Sequence, residues 1–391
     1  MTVSVLSLGC RLNISESEQL RGLLAGNENL VVVNSCAVTS EAVRQTRQTI
    51  RRARKAHPDA RLLVTGCAAE VEREMLAAMP EVDGLIANDA KLDPRAWNAP
   101  SSAPKPAGRQ YSRGFVQVQN GCDHACTFCI IPQGRGPGRS RAVAEVLADV
   151  ARHLEAGAGE VVLTGVDLTS WGGDLPGSPR LGTLVTAILD RFPDMKRLRL
   201  SSVDGAEVDP VLFDLLAGED RVMPHLHLSL QSGDDMILKR MKRRHTRRDA
   251  VSLVERLRAH RPDLSLGADI IAGFPTEDEA MHRNNLSIIG ELGIVHGHIF
   301  PFSPRPGTPA ARMPQVDPAT VKVRAAELRS AAARERNRWL ASMIGRPLKV
   351  LAERGGTGHA ENFAPVRLPP GTPPATVIAM TPQGIVEGML A

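Results

Sequence analysis

The sequence predicts an α/β protein in three parts: a small N-terminal parallel sheet with helices on its faces, a partial (β/α)6 barrel, and a short C-terminal β module. Three observations carry this. The first hundred residues alternate short β-branched runs with helically periodic ones; six further strand–helix pairs follow a Pro-rich stretch; and the last 45 or so residues are turn-rich with alternating segments.

In the first part, VSVLSLG, LVVVNS, RLLVTG and DGLIAND read as strands, and SESEQLRGLLAG and SEAVRQTRQTIRRARKA as helices with polar starts. This domain is expected over residues 1–95. Residues 96–112, with APSSAPKPAG inside, read as a linker. The barrel is expected over 113–317, with strands GFVQVQNG, EVVLTG, RLRLSSV, HLHLSLQS, LSLGADIIAGF and HGHIFPF. Six strands fall short of the eight that close a full barrel, and the active residues of such a fold sit at the carboxyl ends of its strands. One long helix over 318–346 connects to the β module at 347–391.

Hydrophobic residues make up 42% of the 391-residue chain and charged ones 23%, which excludes a disordered chain. Net charge is +5, favouring an anionic partner. The start, MTVSVLSLGC, has neither the basic region nor the apolar run of a signal peptide, and no segment approaches the ~18–20 apolar residues that span a bilayer. A cytoplasmic location is expected. In that reducing setting the six cysteines read as ligands or nucleophiles rather than disulfides.

Cys10, Cys36 and Cys67 each directly follow one of the first three strands, at spacings of 26 and 31 residues. That spacing is close to the length of a βαβ unit, so the three thiols are expected at one carboxyl edge, where open α/β sheets bind ligands. Cys122, Cys126 and Cys129 form C-x3-C-x2-C in NGCDHACTFCIIP, just after the first barrel strand. Three thiolates on one loop can hold three irons of a cubane cluster and leave the fourth open. A Cys3His zinc site with His124 is the alternative, although zinc sites usually draw ligands from two separated knuckles.

Along HLHLSLQS the leucines alternate with His225, His227, Ser229 and Gln231, which gives one polar face. Turned inward, it lines a wet cavity; the same residues could also be satisfied core polars. Thr164, Gly165 and Asp167, Ser202 and Asp204, and Asp269 occupy similar strand-end positions.

The C-x3-C-x2-C loop on a barrel resembles the radical S-adenosylmethionine (SAM) superfamily. The segments CTFCIIP, RGPGRSR, RLRLSS, LHLSLQSG, GADIIAGFPTE and FPFSPRPGTPA, with three dispersed cysteines before them, resemble the methylthiotransferases in order along almost the whole chain. The resemblance implies two 4Fe–4S clusters, one radical-generating on Cys122, Cys126 and Cys129 and one auxiliary on Cys10, Cys36 and Cys67. It implies SAM as methyl donor and radical source, with its adenine near Phe128; the strand-end and lumen residues Gly165, Ser202, Ser229, Gln231 and Asp269 are the candidates for its ribose and methionine end. It further implies a low-potential donor such as flavodoxin or ferredoxin, and a C-terminal module like the RNA-binding TRAM domain. The stretches GCRLN and VVVNSCAVTSEA are similar to the branch that adds a methylthio group to C2 of N6-threonylcarbamoyladenosine at tRNA position 37. The same chemistry on N6-isopentenyladenosine or on a ribosomal-protein aspartate, and a non-enzymatic electron carrier, are the competing readings. Asp204-Gly205 and Asp167 depart from the Glu-Pro and Asn usual in the family.

Two basic runs suit a nucleic-acid partner, here the anticodon stem-loop of tRNA. RQTRQTIRRARK sets Arg44, Arg47, Arg51 and Arg54 on one helical face, and KRMKRRHTRR carries Lys239, Lys242, Arg243 and Arg244 in a short span.

Overall fold

The computed structural model describes residues 3–98 and 112–391. The expected linker therefore lies, but for its ends, outside the described residues. The described residues form two compact units: 3–98, 119–139 and 303–311 make the first, and 112–118, 140–302 and 312–391 the second. The expected barrel domain thus runs across both, with its cysteine loop grouped with the N-terminal residues.

The first unit is built on four parallel strands, β1 (Ser4–Ser7), β2 (Leu30–Ser35), β3 (Arg61–Gly66) and β4 (Gly84–Leu85), in that order across the sheet. Between them run α1 (Arg11–Leu23), α2 (Ser40–Ala56) and α3 (Cys67–Val71). Every residue of β2 is buried, as a central parallel strand covered on both faces must be. Val31, Val33, Leu62 and Val64 pack on one face against Ile50 and Ala53 of α2; Val5, Val32 and Leu63 pack on the other against Leu20 of α1 and Leu24. Thr39 caps α2 by accepting from the Ala42 N–H. Register pairs Ser7 with Asn34 and Asn34 with Thr65, so all three strands end level and their next residues share one edge.

The second unit holds the six expected barrel strands, Arg113–Gln117, Glu160–Thr164, Leu198–Leu200, His225–Gln231, Ser265–Ala272 and Ile294–Pro301. They fall in two parallel sheets: the first three form one, and the last three form the other with the short strand Ser202–Val203 at its edge. Leu163, Leu200, Leu226, Leu228, Leu266 and Ile270 belong to one core cluster with Leu184 and Ile188 of the helix Leu181–Arg191 and Leu257 of Arg247–His260. The outward face of each strand therefore packs on the helices, and the alternating residues face the lumen. The helix Pro318–Ala341, capped by Asp317 with Pro at its first position, leads to a six-stranded sheet over 348–390. Val350, Ala360, Val366 and Leu390 form that sheet's core with Leu340.

Candidate metal centres and barrel lumen

Level strand ends bring the first three cysteines to one edge. Cys10 is the N-cap of α1 and exposed, Cys36 follows β2 and is buried, and Cys67 opens α3 and is buried. Glycine is required beside two of them. Gly9 has φ +89, and a Cβ there would meet the Cys36 Sγ at 2.8 Å; Gly66 has φ +93, and a Cβ there would meet the Ser35 backbone at 2.5 Å.

Three buried polar side chains tie these loops together. Asn13 Nδ2 donates to the carbonyls of Leu8 (2.6 Å) and Ser35 (3.0 Å), the residues two before Cys10 and one before Cys36. The Ser35 hydroxyl donates to the Thr65 carbonyl at 2.5 Å and accepts from the Ala68 N–H at 3.2 Å, on either side of Cys67. Asn34 Nδ2 donates to the Asn13 carbonyl and the Ser17 hydroxyl, both at 3.1 Å. Burial pushes the Cys36 thiol up to about 11 and raises that of Cys67, with the neighbouring thiols adding to the effect. Such thiols stay protonated unless a cation takes them as thiolates.

The loop carrying Cys122, Cys126 and Cys129 belongs to the same unit. Its backbone is closed by Cys129 N–H to the Cys126 carbonyl and Cys122 N–H to the Gly136 carbonyl, both 3.2 Å. The Cys122 sulfur accepts from the His124 N–H at 3.5 Å and the Cys129 sulfur from the Ile131 N–H at 3.4 Å. Phe128 is half-buried within the loop. Residues 303–311 brace the surroundings: Ala310 N–H donates to the Thr127 carbonyl, Ser303 bonds Ser40, and Arg305 pairs with Glu72 at 2.6 Å.

The two triads share a physical link, the short helix Ile131–Arg135 that leaves the cysteine loop. Gly134 sits where a Cβ would be 3.3 Å from the Cys67 Cβ, and its carbonyl accepts from Asn88 at 2.5 Å. Arg135 Nη1 donates to Glu16 at 2.9 Å and to Asn120 at 2.8 Å, and its Nη2 donates to Asn13. Lys91 Nζ also pairs with Glu16. Burial alone would raise the Glu16 carboxyl, but Lys91 and Arg135 together hold it below its ordinary value. Each triad thus offers three soft thiols and no fourth protein thiol, a donor set that fits an iron–sulfur cube with one open iron.

In the second unit the lumen is polar where the sequence placed it. His227 Nε2 lies 3.1 Å and His298 Nδ1 3.3 Å from Asp269 Oδ1, on three adjacent strands. Burial opposes ionisation of Asp269, yet the two imidazoles hold its carboxyl at about 2. Gly267 leaves room for the His227 ring. Gln231 ends the fourth strand at φ +69 beside a shift of register after Leu228, a backbone strain of the kind stored at functional sites. Gly165, Ser202 and Ser229 are half-buried at strand ends or on the lumen face. His225 is packed at 5.0 Å from the Phe363 ring and His296 at 5.6 Å, so the amino end of the lumen is filled by the β module.

The basic runs divide. Arg44, Arg47 and Arg51 are exposed on α2, with Arg44 paired to Glu41, while Arg54 turns in to Asp83 and the carbonyls of Ala60 and Glu81. Lys239 and Lys242 are exposed. Arg243 is half-buried, its guanidinium donating to Asp204 (2.9 Å) and the Ser229 carbonyl (2.8 Å), and Arg244 bridges Asp204 and Glu207. Asp204, the departure from the usual Glu-Pro, is thus an internal anchor; against the cost of burial, His245 and Arg243 keep it ionised well below the carboxylate range.

Sequence reasoning missed Asn34, Glu16, Lys91, Arg135 and His298. Asn34 and His298 could have been flagged as polar residues inside largely apolar strands; Glu16, Lys91 and Arg135, on a polar helix, a turn and a short loop helix, carried no such signal.

Comparison with known proteins accords with this arrangement. Residues 116–286 match the Radical SAM superfamily and residues 2–87 the Uncharacterized protein family UPF0004. The chain is 45% identical, over 99% of its length and 96% of the relative's, to the threonylcarbamoyladenosine tRNA methylthiotransferase MtaB of Rickettsia prowazekii. It is 33% identical to MtaB of Bacillus subtilis over 81% of this chain and 77% of that one. The tRNA-2-methylthio-N(6)-dimethylallyladenosine synthase of Erythrobacter litoralis is 32% identical, over 91% and 87%. Among solved structures, the radical SAM methyltransferase TsrM from Kitasatospora setae shares the fold, with TM-score 0.55 and 17% identity over 72% of this chain and 66% of that chain. With both parts matched and relatives similar over nearly the full length, the protein belongs to the radical SAM methylthiotransferase family.

Proposed function

We propose that the protein adds a methylthio group to C2 of N6-threonylcarbamoyladenosine at position 37 of tRNA. The observation that carries this is the pair of three-cysteine sites within one compact unit, in a chain 45% identical to a relative named for that reaction. An electron carrier would complete each cluster with a fourth thiol; two open sites suit chemistry instead.

In this reading Cys122, Cys126 and Cys129 hold the radical-generating 4Fe–4S cluster, and Cys10, Cys36 and Cys67 hold the auxiliary one. The cofactors supply the radical, the methyl group and the sulfur; the chain supplies geometry and exclusion of water. Gly9 and Gly66 let the thiols approach, Asn13 and Ser35 fix the loops that bear them, and Gly165, Ser202, Ser229, Gln231 and Asp269 offer polar contacts to SAM or substrate. The polar lumen of His227, ionised Asp269 and His298 suits the hydroxyl and ureido N–H groups of a threonylcarbamoyl substituent, for which Asp269 is an acceptor; an apolar prenyl group has no such donors. The 32% relative named for dimethylallyladenosine keeps that substrate as the second reading.

The six-stranded terminal sheet acts as the TRAM-like RNA contact, and exposed Arg44, Arg47, Arg51, Lys239 and Lys242 meet phosphates. A flavodoxin- or ferredoxin-type donor delivers the electron, and the reaction takes place in the cytoplasm; no helix among the described residues is long and apolar enough to cross a membrane. Nucleoside mass spectrometry of tRNA from a strain lacking the protein tests the substrate. Loss of the methylthio group from threonylcarbamoyladenosine alone is expected; loss from the prenylated nucleoside alone would transfer the assignment to the second reading.

A further inference from the structure

We infer that Lys91 and Arg135 are positioning residues for the auxiliary cluster, whose reduction potential they set through a buried surplus of positive charge. The inference rests on the reading that Cys10, Cys36 and Cys67 hold that cluster.

Lys91 is 1% exposed, Arg135 6% and Glu16 0%. Two cations thus share one carboxylate, all three side chains closed off from the surface. The other groups that bond them, Asn13, Asn34 and Asn120, are neutral amides. A buried cation left over in this way is costly unless an anion faces it. The thiols are the anions at hand: Arg135 follows Gly134, which packs against Cys67, and bonds Asn13, whose amide holds the loops of Cys10 and Cys36, while Lys91 bonds Asn34, two residues before Cys36. The arrangement is built for three thiolates and wasteful for three thiols.

A 4Fe–4S cube of charge +2 on three thiolates carries a net charge of −1, and one added electron makes it −2. No bond forms or breaks in that step. A fixed cation favours the more negative state and raises the potential, and a fixed anion lowers it. Glu16 and Lys91 therefore act in opposite directions, which a role in folding alone would not produce.

The test uses the full chain with Cys122→Ser, Cys126→Ser and Cys129→Ser, reconstituted anaerobically so that one cluster contributes to the EPR signal, and titrated with dithionite. Relative to that parent, Lys91→Met is expected to lower the reduced-to-oxidised ratio at fixed potential by on the order of tenfold, the order of effect of one nearby unit charge at an effective dielectric near 20. Glu16→Gln is expected to raise it, and Lys91→Arg to restore it. Unmoved midpoints, or shifts of both variants in one direction, overturn the inference. If Lys91→Met loses its cluster, Glu16→Gln decides by the sign of its own shift. A parent that binds no four-iron cluster overturns the ligand reading itself, which is a separate outcome.

Discussion

Asn13 makes three bonds with one side chain, two to loop carbonyls beside cysteines and one to Arg135; the Ser35 and Arg135 bonds are buried and the Leu8 bond partly so. Asn13→Ala leaves the Leu8 and Ser35 carbonyls without that donor, at about 1–3 kcal/mol for each group left unsatisfied. A lowered melting temperature is expected, together with iron content reduced from about eight toward four per chain, as the first triad loosens and the second stays. Iron retained at eight would show that the loops hold without the staple. The cysteines themselves were legible in the sequence because ligand chemistry leaves a spacing. Asn13 was legible only as the last letter of GCRLN, and Lys91 and Glu16 not at all, since their meaning lies in burial that the chain acquires on folding. Arg243 shows the converse, a basic letter in a basic run that the fold turns inward to Asp204.

At the scale of elements, the strands were legible because parallel strands covered on both faces read as continuous β-branched runs. What joins them at the amino end of the barrel was not. Glu160, fully buried, accepts from Arg113 (2.8 Å), Arg197 (2.9 Å) and Arg199 (2.8 Å), and the last two also donate to the carbonyls of Ala360 and Glu361 in the β module. Phe363, at φ +67, lies with its ring 4.8 Å from the Arg199 guanidinium and 4.4 Å from the His359 ring. Glu160→Gln leaves Arg197 and Arg199 facing a neutral amide, while Arg113 keeps Glu353, and a cost of about 3–5 kcal/mol is expected. Hydrogen exchange in the strands Leu348–Ala352 and Thr357–Ala360 should rise with it. Burial opposes the charge on Glu160, but the arginines hold its carboxyl well below 4.5. A depressed carboxylate contributes its full stability above the unfolded value and loses it as pH falls through the folded one. The gap in urea midpoint between wild type and variant should therefore persist from pH 7 to about 4.5 and narrow only below that.

For the whole molecule, the grouping of residues was the least legible feature. Residues 119–139 and 303–311 belong with the N-terminal sheet through Arg135, Asn88 and Arg305, contacts between positions more than forty residues apart. Charge at this scale makes the last prediction. If tRNA is bound through phosphates, each neutralised contact releases fewer counterions, and the slope of log affinity against log salt falls by roughly 0.7–0.9 per contact. Lys239 and Lys242 are exposed, whereas Arg243, in the same run, is bonded to Asp204 and the Ser229 carbonyl. Lys239→Ala with Lys242→Ala should therefore weaken tRNA binding, flatten the salt slope by about 1.5 and leave the melting temperature unchanged. Arg243→Ala should do the reverse, lowering the melting temperature by removing one of the two arginines paired with Asp204 while the slope stays at its wild-type value. Filter binding across a salt series, run beside thermal melts of the same three proteins, separates the two effects. A slope indifferent to the lysine pair would remove this run from the RNA surface and leave the contact to α2 and the terminal sheet.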